Sequence, residues 1–194
     1  MIGMTELWLP ILLSTVAVFL ASSITHAVLS YHDKDYQGMP GEEKVLAAMR
    51  TAGLRPGNYY FPHPGTRAAR SSPEYIKKCD QGPVGMINVF PNGPPAMGKA
   101  LGQWAVYLLV ISFMVAYVAR LALAELPGIG MVTSHDFMHV FRVTSVAAFI
   151  AYAGAEPVAS IWAGRGWAAT LRNLGDDLLY ALLTGGVFAW LWPN

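Results

Sequence analysis

Apolar and polar positions divide the chain into four hydrophobic runs and one long polar stretch. The runs cover residues 7–29, 101–124, 140–163 and 174–192, and each is about long enough to cross the hydrocarbon core of a bilayer as a helix. The polar stretch, residues 31–99, separates the first two runs. The pattern predicts an α-helical integral membrane protein, a bundle of four transmembrane helices with a small mixed α/β extramembrane insertion.

The third run, residues 140–163, carries two charged side chains, Arg142 and Glu156. A carboxylate inside the hydrocarbon costs roughly 2.5–3.5 kcal/mol on insertion scales, so this helix needs neighbours that offer a donor or a counter-charge. Pro157 lacks a backbone donor and disturbs the turn that precedes it. We therefore expect a kinked helix with an acid at the kink, packed against the other three.

The polar stretch holds turn and cap signals for short elements. Ser72-Pro73-Glu74 places a capping hydroxyl, a proline and an acid at the start of a helix that we expect to end near Cys79. A helix over residues 42–52 and strands over residues 59–61 and 84–90 complete the prediction. These elements form the mixed α/β insertion.

Composition supports the membrane assignment and excludes several classes of function. Hydrophobic residues make up 54% of the chain and charged residues 13%, which is too few for an ordinary soluble surface. The net charge of +1 gives no reason to expect a nucleic acid as partner. Cys79 is the single cysteine, and we find no phosphate loop or nucleophile motif. We therefore predict no cofactor and lean away from an enzyme.

The distribution of basic residues predicts an orientation. Nine of the 13 Lys and Arg residues lie in the insertion, and the terminal tails carry none. Basic residues concentrate on the cytoplasmic side of membrane proteins. We expect a multi-pass protein of a bacterial inner (cell) membrane, with the large loop cytoplasmic and both termini external.

A polar cluster is expected near one membrane face. The residues near that face are His26, at the end of its predicted helix, Gln103, at the start of the next, Glu156, in the last third of the third, and Asp176 and Asp177, at the start of the fourth. In one interpretation they line a small polar cavity, open to the cytoplasm, that takes a proton, a cation or a polar head group. In the other they are interface residues, with Glu156 paired to an arginine and the two aspartates placed in a first helical turn.

A second polar pair, His135 and His139, is four residues apart, the spacing with which a helix offers two imidazoles to one divalent metal. Glu6 or Glu125 would supply a third ligand from the same side. The alternative is that both histidines are ordinary interfacial residues.

Several short segments carry a resemblance to a known group of proteins. They are residues 8–14, His32 with 35–36, Pro40, 56–59, Pro62, 82–84, 93–94, 160–162, 180–184 and 190–193. With these segments the chain resembles a family of uncharacterised bacterial inner-membrane proteins that have four spans and no established activity. The resemblance implies the location but transfers no catalytic residue, and residues 135–139 are not part of the shared pattern.

Three functions follow as expectations. The first is a non-enzymatic accessory protein that contacts the lipid bilayer and binds other membrane proteins of a larger complex. The alternative is a small proton- or cation-linked transporter that uses His26, Glu156 and Asp177. A further alternative is a membrane metal-binding protein that uses His135 and His139.

Overall fold

A computed structural model describes residues 2–124 and 136–193, most of which are helical. Its elements, in chain order, are α1 Trp8–Ala27, α2 Glu42–Thr51, β1 Gly57–Phe61, α3 Pro73–Gln81, β2 Gly85–Val89, α4 Met97–Ala122, α5 Phe137–Ala153, α6 Glu156–Ala163 and α7 Trp167–Trp190. The chain divides into two compact units. The helical unit is built from Met1–Asp35, Ala96–Ser160 and Arg165–Asn194, and the second from Tyr36–Pro95 and Ile161–Gly164.

Three helical stretches are long and apolar enough to cross a membrane: Met4–Ala27, Met97–Ala122 and Phe137–Ala163. The first joins a 3-10 turn, Met4–Leu7, to α1. The fourth long helix, α7, is not among them, because its first half carries Arg172, Asp176 and Asp177.

The outward faces of these three stretches are apolar. Ile24 of α1 is 52% exposed, Val106 of α4 is 61% exposed and Ile150 of α5 is 66% exposed. A protein in water rarely leaves so much contiguous apolar surface uncovered. The three stretches are therefore apolar enough on their exposed faces to lie in lipid.

The core of the helical unit lies between α1, α4, α5 and α7. Val18, Leu108 and Phe188, from three different helices, are fully buried there. The helices also share polar contacts, since the Ser14 and Ser112 hydroxyls of α1 and α4 are 3.1 Å apart. Small and hydroxylated residues let helices approach closely, which is how helices associate without a hydrophobic driving force.

The tightest approach joins α5 and α7 at Gly185. A β-carbon on Gly185 would overlap the Ser145 hydroxyl and lie 3.1 Å from the Phe141 carbonyl oxygen. No such obstacle lies within 4 Å of the neighbouring Gly186. Gly185 therefore sets the distance between these two helices.

The third hydrophobic run forms one helical stretch, Phe137–Ala163, that is interrupted directly before the Glu156-Pro157 pair, where the sequence predicted a kink. The helix α5 ends at Ala153, and α6 begins at Glu156, after a break at Gly154 and Ala155. Pro157 lies in the first turn of α6, where its missing N–H leaves no intrahelical bond unmade. The proline thus starts a new helix and places Glu156 at its beginning.

The fourth run also differs from the prediction in its start. The helix α7 begins at Trp167 and not at residue 174, so Asp176 is its tenth residue and not part of the first turn. The prediction placed the boundary where the charged residues occur, whereas residues 167–173 contain no helix breaker. The two aspartates are therefore not N-terminal caps.

The second unit contains the short elements predicted for the insertion. Strands β1 and β2 pair antiparallel, with Tyr59 opposite Ile87. The Ser72 hydroxyl accepts a hydrogen bond of 3.2 Å from the Tyr75 backbone N–H at the start of α3, as the capping pattern predicted. Cys79 is a free thiol.

Candidate functional site

A cavity of about 670 Å³ lies within the helical unit, between α1, α4, α6 and α7. Its volume is in the range of small-molecule binding sites. It is lined by Ser22, Ser23, His26, Ala27, Met97, Leu101, Trp104, Glu156, Asn173, Asp176, Asp177 and Tyr180. Three carboxylates, two aromatic rings and three apolar side chains therefore share one space.

Glu156, one of the three carboxylates, is already compensated. Its Oε2 atom is 2.8 Å from an Arg165 guanidinium nitrogen and accepts a 3.0 Å hydrogen bond from the Asn173 amide. Arg165 follows α6, and Asn173 comes from the second turn of α7. Glu156, the first residue of α6, is thus paired with Arg165, nine residues further along the chain.

Asp176 is also compensated, by residues from the segment that follows α1. The Tyr31 hydroxyl donates a hydrogen bond to Oδ1, and His32 Nε2 lies 2.7 Å from Oδ2. The residue is 7% exposed. A buried carboxylate needs such partners because leaving it unpaired is costly.

Asp177 is the exception. Its Oδ2 atom is buried, and within the described residues it has no hydrogen-bond partner. An isolated ionised carboxylate in a low-dielectric site is neutralised by a proton or attracts a cation. Of the three acids that line the cavity, Asp177 is thus the one with a buried oxygen atom left without a hydrogen bond among the described residues.

The opposite part of the cavity wall is held by hydrogen bonds between side chains. The Trp104 indole N–H donates a 2.8 Å hydrogen bond to the Ser22 hydroxyl, which fixes the ring of α4 against α1. The Thr25 and Tyr180 hydroxyls are 2.8 Å apart and link α1 to α7. Both aromatic rings are therefore positioned by the bundle.

A chain of alternating charges runs from the cavity to the 3-10 segment Ser30–Asp35. His32 lies between two carboxylates, with Nε2 on Asp176 and Nδ1 2.7 Å from Asp35. Arg172 of α7 donates to Asp35 Oδ1 from Nε, at 2.8 Å, and from a terminal nitrogen. The segment after α1 is thereby fixed to α7 by two ionic links.

This network shifts the pKa values of its members. Burial would lower the pKa of His32, but the hydrogen bonds to Asp35 and Asp176 outweigh it and raise that pKa. The hydrogen bond from His32, aided by Arg172, lowers the pKa of Asp35 despite desolvation. Burial and the hydrogen bond to Asp176 raise the pKa of Tyr31 to about 12.

His26 extends the network into the cavity. Its ring stacks on the ring of His32, with centroids 4.4 Å apart and planes inclined by 15°. Its Nδ1 atom lies 2.9 Å from the Thr25 hydroxyl and 3.2 Å from the Ser22 carbonyl oxygen. Among the described residues, His26, His32 and Asp176 form a group whose ligand atoms lie within 4.8 Å of one another.

Four of the five residues in the predicted polar cluster meet at this cavity: His26, Glu156, Asp176 and Asp177. The fifth, Gln103, is exposed on α4 and is not a lining residue. Its neighbour Trp104 lines the cavity instead. The arginine pairing considered for Glu156 is present, with Arg165 as the partner.

The sequence interpretation did not include the residues that hold the cluster together, which are Tyr31, Asp35, Arg172, Asn173 and Tyr180. It considered His32 as a neighbour of His26 near the interface, but favoured an ordinary solvated residue. The pair of His32 and Asp35, three residues apart directly after an apolar span, was the available signal. The metal pair predicted from sequence, His135 and His139, lies only partly within the described residues. His135 lies outside the described residues, as does Glu125, and His139 is half-buried near the start of α5.

Comparison with known proteins adds no assignment: no protein-family model, curated protein or solved structure matches the chain.

Proposed function

We propose that this protein is a small membrane carrier that binds an organic cation, such as an alkylammonium ion, in the cavity between α1, α4, α6 and α7. The observation that carries the proposal is the unpartnered Asp177 Oδ2 in a cavity whose other two carboxylates are compensated. A bound ammonium group supplies the missing counter-charge.

The chemistry of the lining favours an organic cation over a bare ion. The aromatic faces of Trp104 and Tyr180 attract cations, and Ala27, Met97 and Leu101 offer apolar contact to alkyl groups. A volume of about 670 Å³ exceeds what an inorganic ion needs. The hydrogen bonds to Trp104 and Tyr180 keep both rings in place before the ligand arrives.

The architecture supports a carrier. Discontinuous helices surround the binding sites of many secondary transporters, and here α5 and α6 are separated by a two-residue break beside the cavity residue Glu156. Such a break lets the α6 end of the third span move relative to α5. We infer that α7 forms the fourth span, with its acidic first half protected from lipid by α1 and α5.

The same proposal includes the topology that the charge distribution favours. In it the insertion faces the cytoplasm, both termini are external and the membrane is a bacterial inner membrane. The cavity then opens near the cytoplasmic face, because His26 lies at the end of α1 that leads into the insertion.

The test is uptake of radiolabelled tetraethylammonium into proteoliposomes. We expect saturable uptake above that of protein-free liposomes, lost in Asp177→Asn and retained in Asp33→Asn, a change at an exposed aspartate outside the cavity. Methylammonium and choline are run in parallel to cover smaller and polar cations. Uptake equal to that of empty liposomes for all three ions would contradict the carrier proposal.

A second candidate, a partner-binding accessory role, is favoured by a different observation. Tyr36 and Phe90 of the second unit are 90% and 79% exposed, an unusual position for large apolar rings. A partner membrane protein would cover them. Copurification in mild detergent tests this role, with loss of a stoichiometric partner expected on Phe90→Ser.

A further inference from the structure

Two histidines and one aspartate from three different segments converge at the edge of the cavity. His26 comes from the last turn of α1, His32 from the 3-10 segment after it, and Asp176 from α7. One ligand atom from each residue lies within 4.8 Å of the ligand atoms of the other two. Two imidazole nitrogens and one carboxylate oxygen are a ligand set that Zn²⁺ uses in proteins.

The hydrogen bonds of His32 orient its ring so that Nε2 faces the other ligand atoms of this group. Its Nδ1 atom is 2.7 Å from Asp35 Oδ2, and Asp35 is in turn held by Arg172. A carboxylate that accepts from Nδ1–H leaves Nε2 as the ligand and fixes the ring orientation, as in many metal sites. Here Nε2 points at Asp176.

The ring of His26 is also oriented by a hydrogen bond at Nδ1. Its Nδ1 atom lies 3.2 Å from the Ser22 carbonyl oxygen, which can only accept a hydrogen bond. In the tautomer that donates from Nδ1 to this carbonyl, Nε2 keeps its lone pair. The ring is exposed, so Nε2 is accessible from the cavity.

The two carboxylate oxygens of Asp176 have different partners. Oδ1 accepts the hydrogen bond from Tyr31, which orients the carboxylate, and Oδ2 faces His32. A metal ion between these groups takes the place of the proton shared by His32 Nε2 and Asp176 Oδ2. Water from the cavity completes its coordination.

One adjustment is needed, because the two imidazole rings are nearly parallel. In-plane lone pairs of parallel rings cannot meet at one ion, so one ring must turn. His26 is the ring that turns, since it is exposed and held at Nδ1 alone, whereas the His32 side chain is 13% exposed and held at both nitrogens.

We propose that His26, His32 and Asp176 form a binding site for a divalent first-row transition metal, with Zn²⁺ as the expected ion. Asp35 and Tyr31 orient the ligands. The metal site does not depend on the proposed binding of an organic cation. The metal site uses Asp176 with the two histidines, whereas the organic cation is held by Asp177. It also differs from the pair His135 and His139 considered from sequence.

The test is calorimetric titration of Zn²⁺ into metal-free protein in nanodiscs, purified without a histidine tag. We expect one equivalent to bind and Co²⁺ to give visible d–d bands at the same stoichiometry. His26→Ala should weaken Zn²⁺ binding at least tenfold; this exposed residue can be replaced without loss of the fold. His63→Ala, a change in the second unit, should leave binding unchanged.

Three outcomes would overturn the proposal: no stoichiometric Zn²⁺ binding, equal affinity in His26→Ala, or loss of binding in the His135→Ala/His139→Ala double variant. The Asp177→Asn variant separates the two proposals. If this variant binds Zn²⁺ but has lost tetraethylammonium uptake, the metal site and the carrier proposal are both supported. If it has lost Zn²⁺ binding but still takes up tetraethylammonium, both are contradicted.

Discussion

His32 Nε2 lies 2.7 Å from Asp176 Oδ2, a contact between residues 144 positions apart in the chain. It links the segment that leaves the first span to the middle of α7. Because Asp35 and Arg172 close a second link between the same two elements, the end of α1 is held at the cavity wall.

Loss of this contact should destabilise the helical unit. We expect Asp176→Asn to lower the free energy of unfolding by roughly 1–3 kcal/mol, because a buried hydrogen bond to a charged group is lost. The measurement is unfolding in mixed micelles with increasing SDS. Asp33→Asn, in the same 3-10 segment but exposed, should stay within about 0.5 kcal/mol of the parent. Equal effects of the two changes would refute this role of Asp176.

The same network predicts how thermal stability depends on pH in metal-free protein. The raised pKa of His32 stabilises the fold below its ordinary value of 6.5, and this contribution is lost as the pH rises through the raised value. The lowered pKa of Asp35 stabilises the fold above 3.8, and this contribution is lost as the pH falls through the lowered value. The stability that His32 and Asp35 contribute should therefore be greatest between pH 3.8 and pH 6.5.

Differential scanning fluorimetry in nanodiscs with EDTA, from pH 4 to 9, measures this dependence. His32→Gln should remove much of the decline on the alkaline side, since the titrating ring is gone. An alkaline decline of the same size in the parent and in His32→Gln would show that another group is responsible.

The close approach of α5 and α7 gives a packing prediction with an internal control. Gly185→Ala should cost roughly 1–3 kcal/mol, because its β-carbon meets the Ser145 hydroxyl and the Phe141 carbonyl. Gly186→Ala, with nothing within 4 Å, should be tolerated or mildly stabilising. SDS unfolding compares the two. A partial recovery in Gly185→Ala/Ser145→Ala would locate the strain at that hydroxyl.

Glu156 and Arg165 form a pair whose charges cancel beside the cavity. Glu156→Gln alone should weaken tetraethylammonium binding by about 1 kcal/mol, or roughly fivefold, because it leaves an unpaired cation near the ligand. The double variant Glu156→Gln/Arg165→Gln should recover most of that affinity. Scintillation proximity assays on nanodiscs supply the affinities, and a double variant weaker than the single one would argue against this electrostatic account.

Sequence reasoning found much of the cavity because depth along a helix is readable from the chain. His26, Glu156, Asp176 and Asp177 were grouped on that basis, and they do line one space. Gln103 was grouped by the same rule but faces outwards, since depth does not fix the face of a helix. Helical rotation depends on packing with neighbours, which one sequence does not reveal.

The residues that organise the cluster were harder to predict for a related reason. His32 and Asp35 lie in a short 3-10 segment whose direction is set by contacts with α7. Arg172 belongs to the seven residues by which α7 extends beyond its predicted start. A boundary drawn from hydrophobicity started the helix after this arginine, so the partner of Asp35 was not placed on α7.

The most direct test of the central claim is equilibrium binding of radiolabelled tetraethylammonium to the parent protein and to Asp177→Asn in nanodiscs. Removal of the Asp177 charge should weaken binding at least tenfold, about 1.4 kcal/mol or more, while Asp33→Asn binds as the parent does. Saturable binding with the same affinity in Asp177→Asn would show that the cation is not held by this carboxylate.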